Sequence, residues 1–128
     1  EIVENQSRAL RKRWLISGFM EGTLQGTYWG IGSAASHYAA HAQGYSEPIV
    51  NDVISEVRTD LDAFTAAEIA VLENHGYLIA DAAIGRHLPK LIATPDAALT
   101  IPHPRWMDED RVRHGLANSH KRTALGRF

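Results

Sequence analysis

The spacing of apolar positions predicts that the chain begins with a helix over residues 2–20. The positions that fall near one face of this helix are Val3, Gln6, Leu10, Trp14 and Ser17. Four cations lie mostly on the opposite side: Arg8, Arg11, Lys12 and Arg13. We interpret the cations as a solvated helix face, because one short basic run is weak evidence for a nucleic-acid or lipid-phosphate patch.

At residues 26–31 the spacing of apolar residues changes from a helical period to an alternating one. Thr27, Trp29 and Ile31 alternate with smaller or more polar neighbours, which predicts one short strand with Trp29 and Ile31 facing inward. Ser33 is then expected to cap a short helix that runs to about Gln43. The rest of the pattern is helical, so the chain itself is expected to be mainly α-helical.

Two further helices have clear start signals. Pro48 follows Glu47 and suits the first turn of a helix. Thr65 and Glu68 form a capping box that starts a helix to about His87. The apolar stripe expected on that long helix is Ile69, Leu72, Gly76, Ile79, Ala80 and Ala83. A glycine in the middle of a helix costs about 1 kcal/mol relative to alanine, so Gly76 suggests close packing against another backbone.

The character of the chain changes at Pro89. Four prolines between residues 89 and 104 disfavour regular helix. Beyond them, Val112 and Leu116 are the only good apolar anchors over residues 108–125. We therefore divide the chain into a folded part, residues 1–88, and a mobile C-terminal tail, residues 89–128.

Composition removes several function classes. The formal net charge of −2 gives no overall attraction to nucleic acid, so no nucleic-acid partner is expected. The chain has no cysteine, which excludes disulfides, thiolate metal sites and thiol nucleophiles. No apolar run reaches the roughly 18 residues of a membrane span. The chain opens at Glu1 within a helical pattern, from which we expect further sequence upstream.

Two features could carry chemistry, and we expect neither to do so. His37 and His41 are four residues apart on the predicted helix, but the glutamate of H-E-x-x-H is missing and no third ligand can be identified. Ser33 follows a glycine-rich turn, yet it does not stand in G-x-S-x-G, and an N-cap is the simpler role. We therefore assign no catalytic, cofactor-binding or metal-binding residue.

The remaining polar groups give no stronger signal. The chain contains neither G-x-G-x-x-G nor the phosphate-binding loop motif. Acidic residues cluster at Asp60 and Asp62 and again at Asp108 to Asp110, where they suit helix starts. Asp81 lies near the expected apolar stripe and, if buried, would need an arginine partner or a proton.

Three segments together resemble the C-terminal part of bacterial patatin-like phospholipases. They are NQSRALRKRWLI (5–16), GTYWGI (26–31) and RTDLDAFTAAEIAVLENHGYLIADAAIGRH (58–87), and they occur in the order and approximate spacing of that family. The last segment contains the family's N-x-G-Y and D-A-A pieces as Asn74 to Tyr77 and Asp81 to Ala83. Asp60 departs from the pattern, since many relatives have an arginine there.

The resemblance implies an α/β parent protein that hydrolyses lipid acyl esters with a Ser–Asp dyad. Its serine stands in G-x-S-x-G and its aspartate in D-G-[GA], and neither motif occurs in this chain. No catalytic residue can therefore be carried over, and the region is expected to be a structural segment that is inactive alone. The lipid substrate would be bound by the N-terminal part, with peripheral membrane contact and a cytoplasmic or membrane-peripheral location.

Two alternatives remain open from the sequence. One is a stand-alone helical interaction domain without catalysis, and the other is a small metal-binding protein that uses His37 and His41. The lipid specificity and the oligomeric state have no sequence signal.

Overall fold

The computed structural model describes residues 2–57, 63–93, 98–117 and 119, and the side chains from Arg8 onward. The described part is mainly helical, as expected, with four α-helices: α1 (Ile2–Glu21), α2 (Glu47–Asp52), α3 (Ala66–His87) and α4 (Glu109–Leu116). Short 3₁₀ helices lie at Ala35–His37, Ile54–Glu56, Pro89–Leu91 and Pro104–Met107. The predicted positions Asp60, Leu61 and Asp62 lie outside the described residues.

The predicted strand at residues 26–31 is wrong. No residue between 25 and 33 is in a strand, and the described chain contains no strand at all. A strand needs a neighbouring extended segment to satisfy its backbone groups, and no described residue pairs with this segment in a strand. The segment runs instead as an irregular connection from α1 to the core, and Trp29 and Ile31 are exposed rather than inward-facing.

α1 ends at a glycine turn. Gly22 adopts a positive φ of 79°, a conformation that favours glycine, and its amide donates to the carbonyl of Phe19. The amide of Leu24 then donates to the carbonyl of Gly18 at 3.1 Å. The chain reverses direction here and lays residues 24–28 beside the last two turns of α1. Gly26 permits this approach, since a Cβ there would meet the Phe19 ring at 2.7 Å.

α3 begins at the predicted capping box. Thr65 Oγ1 accepts from the amide of Glu68 at 3.1 Å, and Glu68 Oε1 accepts from the amide of Thr65 at 2.7 Å. The helix reaches His87, as the pattern predicted. Its buried face differs from the predicted stripe, since Ile69 is exposed and Gly76 meets no atom within 4 Å of an added Cβ. The buried residues are Glu68, Ala70, Val71, Asn74, His75, Leu78, Ile79, Ala82 and Ala83.

The main core brings together the middle and the end of the described chain. Val112 and Leu116 of α4 are buried against the α2 region and against Val71 of α3, with Trp106 and Met107 packed at the side. The remaining members of this core are Ala34, Tyr45, Ile49, Val50, Ile54 and Val57. The two anchors predicted for residues 108–125 are thus buried, and one core spans both sides of Pro89.

Candidate functional site

The residues Asn74 to Tyr77 of α3, which carry part of the family resemblance, hold two separate segments: residues 98–103 and the connection that contains Ile31. Asn74 is fully buried, and its side-chain oxygen accepts from the amide of His103 at 2.8 Å. Its nitrogen donates to the carbonyl of the same residue at 2.8 Å. The Asn74 side chain offers both a donor and an acceptor, so it satisfies both backbone groups of His103 as another backbone segment would.

Tyr45 completes the polar contacts around Asn74. The phenol donates to the carbonyl of Trp106 at 2.7 Å and accepts from the Asn74 side-chain nitrogen at 3.2 Å. Burial raises the pKa of Tyr45, so the phenol remains protonated at neutral pH and serves as a donor. Asn74 and Tyr45 together fix the path of residues 103–106 over α3.

His75 holds the connection that follows α1, and Tyr77 holds a second point of residues 98–103. His75 Nε2 lies 2.8 Å from the carbonyl of Ile31, and the Tyr77 hydroxyl accepts from the amide of Thr100 at 2.9 Å. Because a carbonyl only accepts, the proton of the neutral His75 ring is on Nε2. We call Tyr45, Asn74, His75 and Tyr77 the loop clamp, since each of these side chains bonds to the backbone of a loop.

Burial lowers the pKa of His75 below its usual 6.5, and the hydrogen bond to the Ile31 carbonyl opposes this only in part. A histidine with a lowered folded-state pKa is protonated more readily in the unfolded chain. The stability supplied by neutral His75 is therefore present above about pH 6.5 and is lost progressively as the pH falls towards the lowered value.

We expect the His75→Gln variant to lose less stability than the parent chain between about pH 7.5 and pH 5. Glutamine does not titrate, so this proton-linked loss disappears with the imidazole. Urea unfolding at several pH values measures the difference. His41→Gln is the matched control, because His41 is exposed, and it should follow the parent. Equal pH dependence in the parent and His75→Gln would contradict the assignment.

His37 and His41 do not lie together on one α-helix. The predicted helix from Ser33 to about Gln43 is wrong, since only a 3₁₀ turn at Ala35–His37 forms. The amide of Ala34 donates to His37 Nδ1, so Nε2 carries the proton and donates to Glu47 Oε1 at 2.6 Å. This leaves His37 without a free lone pair for a metal. Within the described residues, no group of three or more potential ligand residues comes together.

Ser33 does not cap a helix as predicted. Its hydroxyl oxygen accepts from the amide of Gly30 at 2.9 Å, while its own amide donates to the Gly30 carbonyl, so it closes a turn. The N-cap of the following 3₁₀ turn is Ala34. Among the described residues, neither a histidine nor a carboxylate lies in hydrogen-bond contact with Ser33, and a serine nucleophile needs such a base.

The acidic residues named here are exposed, cap helices or contact single side chains. Asp81 is exposed and Asp108 caps α4 by accepting from the amides of Asp110 and Arg111. Glu73 lies 3.1 Å from His103 at the surface. Glu68 is buried, and besides its capping role it accepts from the Ser119 hydroxyl, a contact across 51 positions that local sequence patterns do not reveal.

A large apolar surface remains exposed on α1 and the segment that follows it. Trp14 is 66% exposed and Met20 is 83% exposed. Other large side chains of α1 and of the segment that follows it are also exposed: Leu10, Leu15, Leu24, Tyr28, Trp29 and Ile31. The helix face that was predicted to carry Leu10 and Trp14 is thus exposed at both residues. We call these eight residues the α1 apolar surface.

A cleft lies between the end of α1 and the end of α3. Its volume is about 390 Å³, and Phe19, Leu24, Leu88 and Leu91 line it together with Lys90. A second cleft of about 340 Å³ continues along α1 and shares Phe19, Gly26 and His87 with the first. The edge of the Tyr38 ring contacts His87, with ring centroids 6.0 Å apart, and the Tyr38 hydroxyl donates to the carbonyl of Tyr28. We call these two adjacent spaces the α1–α3 cleft.

Sequence reasoning did not identify the loop clamp or the α1–α3 cleft. Asn74 and Tyr77 were noted only as part of a family pattern, while Tyr45 and Lys90 carried no signal. Their partners come from loops more than 20 positions away, as with Tyr77 and Thr100. The local hint is the presence of Asn74, His75 and Tyr77 within about one turn of α3.

Within the described residues, no helix is long and apolar enough to cross a membrane. Comparison with known proteins yields no match to a family model, to a curated protein or to a solved structure.

Proposed function

We propose that this chain is the C-terminal structural segment of a serine-dependent lipid acyl hydrolase of the patatin type, with the catalytic dyad encoded upstream. The supporting sequence feature is the ordered resemblance of three segments, of which Asn74 to Tyr77 is one part. In this proposal the chain contributes packing surface and loop positions to an α/β parent, and it contributes no nucleophile.

The observation that carries the proposal is the α1 apolar surface. Large apolar side chains that are exposed in number on one element often mark a surface that a partner covers. Here α1 carries exposed Leu10, Trp14, Leu15 and Met20, while the rest of the described chain has a buried core of its own. Such a surface suits a segment that packs against another part of the same polypeptide.

The loop clamp is consistent with a structural role. His75 holds the carbonyl of Ile31, and Ile31 belongs to the GTYWGI segment. Two of the three resembling segments are therefore joined by a direct hydrogen bond, across 44 positions. This contact gives a physical reason for the two segments to occur together: α3 sets the position at which the apolar residues around Trp29 are presented.

The proposal predicts that the 128-residue chain does not hydrolyse esters and that the longer product of its reading frame does. The upstream frame should encode G-x-S-x-G and D-G-[GA]. Turnover of p-nitrophenyl butyrate by both polypeptides is the measurement. The short chain should give no rate above buffer, because Ser33 lacks a base among the described residues.

Two variants make this test decisive. Ser33→Ala removes the one serine in a glycine-rich turn, and Ser36→Ala is the matched control, since Ser36 is exposed and close by. Robust turnover by the short chain that is abolished by Ser33→Ala alone would overturn the proposal. An upstream frame without either motif would also overturn it.

The second candidate function is that of a stand-alone helical interaction domain. It is supported by the buried core that Ala34, Ile49, Ile54, Val71 and Leu116 share within this chain. The α1 apolar surface would then bind a separate protein. The upstream reading frame distinguishes the two candidates, because an interaction domain requires neither catalytic motif.

A further inference from the structure

We propose that the α1–α3 cleft binds the anion of a long-chain carboxylic acid, with the alkyl chain along α1 and the carboxylate near Lys90. This inference stands on the geometry and charge of the cleft. It does not rest on the proposed hydrolase, since no catalytic group is involved.

The walls of the cleft suit an alkyl chain. Phe19 and Leu24 form one side, and Leu88 and Leu91 form the other. The volume of about 390 Å³ lies within the range of small-molecule sites. Leu91 is 71% exposed at the rim, so a bound chain would remove apolar surface from water.

The shape favours a long ligand over a compact one. Gly26 and His87 line both spaces, and Ile16, Met20 and Tyr28 line the second one. Met20 is 83% exposed there and would be covered by a chain that reaches this far. Two adjacent spaces that share Phe19, Gly26 and His87 can be occupied together by one extended molecule, which favours an unbranched alkyl chain.

The charge of the lining residues favours an anionic head. Lys90 and His87 are the titratable groups that line the first space, and none of its lining residues is acidic. An ammonium group beside an apolar wall attracts a carboxylate while the wall takes the chain. A neutral amphiphile of the same length would gain only the apolar contribution.

Binding can be measured on the full chain with 11-(dansylamino)undecanoic acid, whose fluorescence rises when it enters an apolar site. We expect saturable binding, displaced by octanoate, decanoate and dodecanoate at concentrations below micelle formation. Displacement should strengthen roughly tenfold for each two-carbon step, as expected for buried methylene groups. Dodecanol should displace the probe more weakly than dodecanoate.

Variants locate the site. Leu91→Asp places an acid at the rim and should abolish saturable binding, whereas Lys90→Gln should weaken it about two- to fivefold, as for an exposed charge pair. The matched controls are Leu10→Asp on the outer face of α1 and Arg105→Gln on the 3₁₀ helix at Pro104–Met107, both exposed and outside the cleft. Both controls should bind as the parent does. Circular dichroism confirms that each variant is folded.

Three results would overturn the proposal. The first is absence of saturable probe binding by the folded parent. The second is equal weakening by Leu91→Asp and Leu10→Asp. The third is fluorescence that rises only with vesicles of phosphatidylglycerol and is unchanged by Leu91→Asp, because this result would identify a membrane surface rather than a single carboxylate as the ligand.

Discussion

Truncation of the chain after Leu88 is expected to abolish its cooperative unfolding transition. The removed residues include Val112 and Leu116, which are buried at 0% and 3% exposure in the main core, and Trp106 and Met107, which pack beside them. Burial of one large apolar side chain contributes about 1.5–3 kcal/mol. The loss of two such residues with their partly buried neighbours approaches the 5–15 kcal/mol that stabilises a typical domain.

The truncation also removes three backbone partner residues of the loop clamp, of which Thr100 donates its amide to Tyr77. Asn74 loses its hydrogen bonds to the amide and the carbonyl of His103, and Tyr45 loses its hydrogen bond to the carbonyl of Trp106. Each buried polar group left without a partner costs about 1–3 kcal/mol. The truncated chain should therefore show a broad, low-amplitude transition in urea and should bind a dye that reports exposed apolar surface.

Point variants in the full chain provide the control for the truncation. Leu116→Ala should lower the free energy of unfolding by about 2–5 kcal/mol, as for other buried leucines. Arg113→Ala lies on the same helix but is exposed, and it should change stability by less than about 0.5 kcal/mol. A truncated chain that unfolds as sharply as the parent would instead support a mobile tail from Pro89.

The features of the fold that could be predicted from sequence are local ones. The capping box at Thr65 and the end of α3 at His87 were both predicted, and both depend on residues within one turn of the helix end. The spacing of Val112 and Leu116 indicated a short helix, whereas their burial in the main core was not predicted, because residues 89–128 were expected to form a mobile tail. Local hydrogen bonds and helical spacing depend on residues that are close in sequence, so they can be recognised without knowledge of the rest of the fold.

The features that could not be predicted depend on distant partners. The alternation around Trp29 suited a strand, but a strand forms only beside another extended chain, and residues 25–33 lie instead between α1 and α3. The stripe on α3 was misplaced for a related reason. From its hydropathy, Asn74 is expected at the surface. In the structure its side chain is buried, because the backbone amide and carbonyl of His103 supply its hydrogen-bond partners. Neither partner is visible in the local sequence.

The candidate sites divide in the same way. His37 and His41 were weighed for a metal because their spacing is helical, yet a 3₁₀ turn and the Glu47 contact remove that geometry. The α1–α3 cleft could not be predicted from local sequence. One wall comes from the end of α1 and the glycine turn that follows it, and the other comes from residues 87–91 at the C-terminal end of α3. Only the relative placement of two helices brings Phe19 and Leu91 to one space.

Replacement of Asn74 by alanine should lower the free energy of unfolding by about 2–5 kcal/mol. The side chain is fully buried, and its removal leaves the amide and the carbonyl of His103 without their partners. Each of these groups costs about 1–3 kcal/mol when buried and unpaired. Asn51→Ala is the matched control, because Asn51 is exposed on α2 and should have little effect. The midpoint of urea unfolding is the measurement.

The Asn74→Asp variant tests the direction of the two hydrogen bonds. An ionised carboxylate can still accept from the amide of His103, but its second oxygen then faces the carbonyl of His103 and the Tyr45 hydroxyl. A protonated carboxyl group can donate to that carbonyl as the amide did, so the folded state should raise the pKa of the introduced acid. Its deficit relative to the parent, compared at each pH, should shrink as the pH falls and grow as the pH rises through this raised value. A deficit that does not vary with pH would mean that residue 74 does not donate to the loop at His103, and the loop clamp would then lack its central contact.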